Sequence, residues 1–420
     1  MGWCSARATA AKQSRPLPRD AALGTNHASP IGIVWSKGDG VSAPLTDTRH
    51  RRGGSLVRGI RPCERADLPE VATLYEHIMR SGTRNPPLGL VEYFERTFFD
   101  CPWADPEIPP LVYKDGGGRI VGFLGSHVRR LRLHGHPIRL ACGGQLVVEP
   151  EARTSAVGAF LFLAYLGGPQ DVTITDGATE NLRRMWAASG GETAPLKSIA
   201  WTRTLRPIRY SGDYLLERLK RPALAKRLRP LWRTLDRLIP GPVKNRLRPT
   251  EPQTSGELLT SQALLEHVPS VRETLGCYPD YDEPFLSWLF HEMAEVKSRG
   301  TLVRSLVRNS RGQVIGWYVY YLNDGISQVM QVAAKRGATE DVLDHLLHHA
   351  YMNGSAAVRG RLEPHLLGPL SERRCIFSFD GSALIHARAP ATLGVVLSSQ
   401  CLLTRMDGEA WMGHHTEPFS

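Results

Sequence analysis

The stretch with the most chemical content runs from Gln145 to Leu161, QLVVEPEARTSAVGAFL. Its apolar start, Leu146-Val147-Val148, reads as a strand. Glu149 to Arg153 is a polar turn, and a helix begins among small residues near Thr154. The first turn of a helix has backbone N–H groups without intrahelical partners, and its dipole favours anions. Small side chains at Thr154, Ser155, Ala156 and Gly158 let a phosphate come close to that backbone, and Arg153 adds a positive charge beside it. Such an arrangement can hold a pyrophosphate without a metal.

The elements around this stretch follow from hydrophobic period. Val57 to Pro62 is a strand; Asp67 caps a helix whose apolar face is Leu68, Val71, Leu74, Tyr75 and Ile78; a second helix spans Leu90 to Phe99. Strands follow at Leu111 to Tyr113, Arg119 to Leu133 and Ile138 to Val148. Then come a helix from Thr154 to Leu166, a strand Val172 to Ile174, a helix Thr179 to Ala188 and a closing strand Ile199 to Leu205. This order implies a mixed sheet covered by helices. After residue 250 it recurs: helices Ala263–Leu275 and Glu283–Val296, strands Leu302–Val307, Gln313–Leu322 and Val329–Ala333, a helix Thr339–Met352 and a strand Ala356–Arg359. Gly118-Arg119-Ile120-Val121-Gly122-Phe123 echoes Gly312-Gln313-Val314-Ile315-Gly316-Trp317, which points to a tandem duplication.

Arg153, Ala156 and Gly158 match the spacing of the phosphate-binding signature of the GNAT family, the GCN5-related N-acyltransferases, with Ala in place of its first Gly. Ile60-Arg61-Pro62 with Ala66-Asp67-Leu68 resembles the family's opening. Asn181 and Gly190-Gly191 resemble its fourth helix and exit. The resemblance covers residues 57–205, and more loosely 255–410. It implies an α/β fold of two tandem GNAT-like domains, each a mixed central sheet flanked by helices. It implies acyl transfer from acetyl-CoA or another acyl-CoA, as substrate, to an amine acceptor, without a metal. The strand Leu146-Val147-Val148 would splay from its neighbour after Val172-Thr173-Ile174, leaving a gap for pantetheine, and a backbone N–H near Val147 would face the developing oxyanion. Cofactor-binding candidates are Leu146, Val147, Val148, Arg153, Thr154, Ser155, Ala156, Val157, Gly158, Ala159 and Asn181. Two positions depart from the family. Gln145 stands where a carboxylate base is common, and Trp186 where a tyrosine acid is common. Asp176 and Glu180 are the remaining base candidates. A non-catalytic acyl-CoA sensor, or an enzyme resembling the tRNA-dependent aminoacyl transferases, are the alternatives.

Domain bounds follow: a disordered tail at 1–56, the first domain at 57–205, a basic helical connector at 206–250 and a second, degenerate domain at 251–420. The second copy keeps only Arg336, Gly337 and Ala338 near its helix start, so one coenzyme A per chain is expected. The net charge of +11 is uneven: residues 203–248 carry 14 Lys/Arg and three acids. In the connector Leu215, Leu216, Leu219, Leu224, Leu228, Leu231, Trp232, Leu235 and Leu238 recur at helical spacing, and this stripe is expected to pack on the domains. Nucleic acid or acidic lipid contact through 206–250 is the less favoured reading. Seven scattered cysteines without a Cys-x-x-Cys pair, and no apolar run near the 20 or so residues of a membrane span, read as a cytosolic protein. His345, His348 and His349 read as a helix face rather than a zinc site; His127, His134 and His136 read as surface residues; and Tyr318, Tyr320 and Tyr321 read as core or sheet surface.

Overall fold

The computed structural model describes residues 59–219, 221–241, 247–272 and 275–419; the tail expected at 1–56 lies outside them. The architecture is mixed α/β, built on two mixed sheets flanked by helices.

The first sheet contains β1 (Ile60–Pro62), β2 (Leu111–Lys114), β3 (Ile120–Leu133), β4 (His136–Val148), β5 (Val172–Ala178) and β6 (Glu192–Thr193). Four helices lie along this half: α1 (Leu68–Met79), α2 (Leu88–Phe98), α3 (Val157–Leu166) and α4 (Glu180–Ala188). Glycines set how closely α3 docks. A Cβ at Gly122 on β3 would lie 2.8 Å from Val157 Cγ1 and 2.9 Å from Leu161 Cδ1, so the helix start is seated directly on the sheet.

The second sheet is built from β7 (Ile199–Thr204), β8 (Ser255–Leu258), β10 (Thr301–Arg308), β11 (Val314–Leu322), β12 (Ile326–Ala334), β13 (Ala357–Arg361) and β14 (Ile376–Phe379). Two strands sit in the half opposite to the one their position in the chain implies. β7, expected to close the first sheet, pairs with β13 and β14 of the second. The late strand β15 (Ser382–Ala387) inserts between β5 and β6 of the first. The short β9 (Cys277–Pro279) also extends the first sheet, along Leu131–Leu133 of β3. Sheet membership therefore does not follow a boundary at 205. Alternating apolar residues establish that β7 is a strand, and they carry no information about which sheet it joins.

After β15 and a helix at Pro390–Leu397, the chain runs back between the two halves as an irregular strap. Residues 401–414 are buried except Arg405, and Leu403, Met406, Trp411 and Met412 join the cores. Buried irregular backbone needs partners. Met406 N–H donates to Met330 O, Arg129 Nε to Asp407 O, and Arg299 Nη2 to Met412 O.

The connector forms two helices, α5 (Pro207–Arg218) and α6 (Pro222–Arg237). Their polarity corrects the expected packing of the leucine stripe. Leu215, Leu219, Leu224, Leu231 and Leu238 face solvent at 36–72 % exposure. The arginines turn inward instead. Arg206 donates to Ser355 O and Tyr351 O, and Arg209 to Gly354 O, carbonyls at or just past the C-terminal end of the helix Thr339–Met352. Cations are favoured there by the helix dipole. Arg229 pairs with Asp324 at 2.8 Å. Charge and carbonyl complementarity thus orient the connector, and its apolar stripe is divided: Leu216, Leu228, Trp232 and Leu235 are half-buried, and the other five leucines are left outside.

Candidate functional site

β4 and β5 run parallel for only three residue pairs, Leu140–Cys142 against Val172–Ile174. β4 continues to Val148 and β5 to Ala178 without further pairing, so the strands fork at Gly143 and Thr175. Successive residues of a strand address opposite faces, and here the two faces differ sharply. A Cβ at Gly143 would meet the Tyr165 ring of α3, whereas a Cβ at Gly144 would lie 1.8 Å from Glu409 Oε2. Tyr165 of α3 covers one face of the fork, and the strap closes the other.

On the α3 side, Arg153 to Ala159 do not form one helix from Thr154. A 3₁₀ turn spans Pro150–Ser155, Ala156 adopts the left-handed conformation (φ 57°, ψ 22°), and α3 starts at Val157. A left-handed residue between two helical turns gathers successive N–H groups into an anion-binding concavity. Arg153 Nε donates to Val148 O at 3.2 Å, tying the turn to the end of β4. Thr154, Ser155 and Ala156 are exposed, while Val157 and Gly158 are buried under the helix start. Leu146, Val147 and Val148 are buried on the forked part of β4. Asn181 is exposed on α4, and none of the contacts resolved for it reaches this turn. A left-handed Ala costs about 1–2 kcal/mol relative to Gly. Ala156→Gly is therefore expected to raise stability by about 0.5–1 kcal/mol, read as a higher denaturation midpoint in urea.

On the strap side, Glu409 is 1 % exposed. Its Oε1 accepts from Thr175 Oγ1 at 3.2 Å, and its Oε2 has no partner. Burial, reinforced by the nearby Asp176 charge, pushes its carboxyl up to about 8. Gly144 and Gly408 make the approach possible: a Cβ at Gly408 would lie 1.8 Å from Asp176 Oδ2. Asp176 itself is fully engaged. It accepts from Glu409 N–H at 3.0 Å and from Arg361 Nη1 at 2.6 Å, with both side chains nearly buried. Arg361 also contacts Glu363, which pairs with Lys197 at 2.8 Å. Glu180 lies apart, exposed at the start of α4, where Arg183 and Arg184 hold its carboxyl low.

The two departures read from the sequence have structural explanations. Gln145 sits at a bulge (φ 51°), where its amide lies 3.2 Å from His127 Nε2 and 3.3 Å from the His414 ring. His127, expected at the surface, is 3 % exposed and stacks on Phe98; burial holds its pKa down to about 3. His134 and His136 are exposed as expected. Trp186 is a core residue against Phe162, and Gly191 leaves room for its indole.

The second sheet has its own fork, with β12 and β13 paired only at Ile326–Gln328 and Ala357–Arg359. It is filled. Trp201, Gln331, Arg361 and Thr404 surround a cavity of about 10 Å³, and Gln331 bridges Trp317 and Thr404. Arg336 is exposed beside Gly337. His345 and His349 bond Tyr318 and Tyr320 at 2.9 and 2.7 Å, and the three tyrosines are core residues. Among the described residues no group of three or more His, Cys, Asp or Glu side chains could hold a metal ion.

The overall fold is matched in solved structures. A probable N-acyltransferase from Enterococcus faecalis V583 superposes with a TM-score of 0.50 over 80 % of this chain and 73 % of its own, at 9 % identity. The fold is GNAT-like. GNAT proteins from Kribbella flavida (TM-score 0.47, 14 % identity, 78 % of this chain and 70 % of that one) and Anabaena variabilis ATCC 29413 (0.49, 11 %, 78 % and 72 %) are also similar. No family model and no curated protein sequence matches the chain. At Gly144-Gln145 on β4, the carboxylate of Glu409, 265 positions later in the chain, stands over the glycine. The sequence reading missed Glu409, Thr175, Gly144 and Arg361.

Proposed function

We propose that the protein is an N-acyltransferase that moves an acyl group from an acyl-CoA to an amine, with Glu409 as the proton acceptor. The observation that carries this reading is the buried Glu409 carboxylate in the β4–β5 fork, with one oxygen unpartnered. A carboxyl with its pKa near working pH is suited to general-base chemistry, because it can hold a proton and release it. Asp176 acts as a positioning residue: its bond to the Glu409 N–H, braced by Arg361, fixes the strap over the fork.

The residues on the α3 face suit coenzyme A. Arg153 and the backbone of Thr154 to Ala159 would hold the diphosphate, and the unpaired edges of Leu146–Val148 would receive the pantetheine amides. When bound, acyl-CoA supplies the acyl group as a thioester open to attack by an amine. As the amine nitrogen bonds the thioester carbonyl carbon and the carbon–sulfur bond breaks, Glu409 would take the proton released at nitrogen, and that proton balances the thiolate, which leaves as the coenzyme A thiol. The filled second fork favours one coenzyme A per chain. The six cysteines among the described residues are free thiols, which fits a reducing, cytosolic setting.

Gly158→Val would put a branched side chain where the diphosphate must meet the backbone. Titration calorimetry is expected to detect no coenzyme A binding to this variant while its thermal melt stays close to that of the parent. Unchanged binding would remove the α3 start as the site. Release of coenzyme A from acetyl-CoA in the presence of a panel of amines tests the activity itself. Binding without release under any of them would favour an acyl-CoA sensor.

A further inference from the structure

The connector presents a surface that nothing in the acyl-transfer reading uses. Leu224, Leu231 and Leu238 recur every seven residues along α6 and its end, forming one line, and are 36, 50 and 72 % exposed. Leu215 and Leu219 on α5 are 56 and 58 % exposed. The inner face of the pair is engaged: Trp232 packs over Gly212, and Asp236 receives the Ile208 and Arg209 N–H groups. The outward leucines are therefore not the residue of a poorly docked helix.

Basic side chains accompany the leucines. Arg218, Arg221, Arg227 and Arg237 are exposed and make no ion pair with a carboxylate among the described residues. Residues 203–248 carry 14 Lys/Arg against three acids. Apolar side chains alone would suit a second copy of the chain. This charge opposes that, because self-association would bring two such basic segments face to face. A partner with an apolar interior beneath a negative surface satisfies both features. No described helix is long and apolar enough to cross a membrane, so the mode open to α5 and α6 is to lie in the interface.

We propose that α5 and α6 form a docking surface for an anionic lipid bilayer, with the leucines entering the headgroup boundary and the arginines meeting lipid phosphates. Two terms then act together, apolar insertion and attraction to anionic lipid, and each is removable without touching the fold's interior.

The test is co-sedimentation of the full chain with vesicles of phosphatidylcholine alone, or of phosphatidylcholine mixed with phosphatidylglycerol. Binding is expected to the mixed vesicles only, and to weaken as salt is raised. Leu224→Ser/Leu231→Ser/Leu238→Ser should weaken it at least about tenfold, and Arg227→Gln/Arg237→Gln about tenfold, with coenzyme A binding unchanged in both variants. Failure to bind mixed vesicles overturns the proposal, as does equal binding to neutral ones. So does binding that ignores the leucine substitutions, which would leave a charge-only surface of the kind nucleic acid uses. Concentration-dependent dimerisation abolished by the leucine substitutions would assign the stripe to a second copy instead.

Discussion

Glu409→Gln is expected to lower acyl transfer by about 10²–10⁴-fold, the range for losing a positioned general base. The substitution keeps shape, so Thr175 and the Asp176 contact can persist and coenzyme A binding should be unchanged. The pH profile distinguishes this role from a purely structural one. In the native protein the carboxyl accepts a proton only when ionised, so kcat/KM should climb as pH rises and level off above about 8. In the glutamine variant that limb should vanish from the residual rate. A variant that retains both the rate and the limb would exclude Glu409 as the acceptor and return attention to a water held in the fork.

The largest effect on stability is expected at Asp176. Arg361 is fully buried, and its charge is balanced by Asp176 and Glu363. Removing one partner of a buried pair typically costs about 3–5 kcal/mol, because the remaining charge stays desolvated. Asp176→Ala should lose this much in chemical denaturation, and activity should fall with it as the strap loosens. The contrasting case is Glu180, exposed and paired only within its own helix turn, where Glu180→Ala should stay within about 0.5 kcal/mol. Equal effects at the two positions would mean that the Asp176–Arg361 pair does not anchor the strap.

These two carboxylates show how far the sequence could be read. Asp176 lies near the end of β5 and Glu180 just past it at the start of α4, and period alone could not separate a buried anchor from a surface residue. The turn between β4 and α3 was legible because its signal is local: small residues, an arginine and a strand-to-helix change all fall within a dozen positions. The fork was legible only through the family pattern that the turn announced. Glu409 was not legible, since its placement depends on Gly144 some 260 positions earlier, and the segment around it has no period. A faint signal existed. Leu402, Leu403, Met406, Trp411 and Met412 make an apolar stretch without helical or strand spacing, which is how a buried irregular segment reads. The connector misled for a related reason. Its stripe was correctly seen as amphipathic, but which face turns inward was decided by carbonyls at the end of a helix more than a hundred residues away.

The exchange of β7 and β15 has a consequence for how the chain can be made. A ribosome delivering this protein releases β5 long before Ser382–Ala387 exist, so the first sheet waits with an unfilled slot between β5 and β6 while the intervening chain emerges. Meanwhile β7 is synthesised early and must wait for β13. Neither half can reach its final form first. These pairings are of high contact order, and a cut at residue 205 would part β15 from the sheet it fills and β7 from β13 and β14.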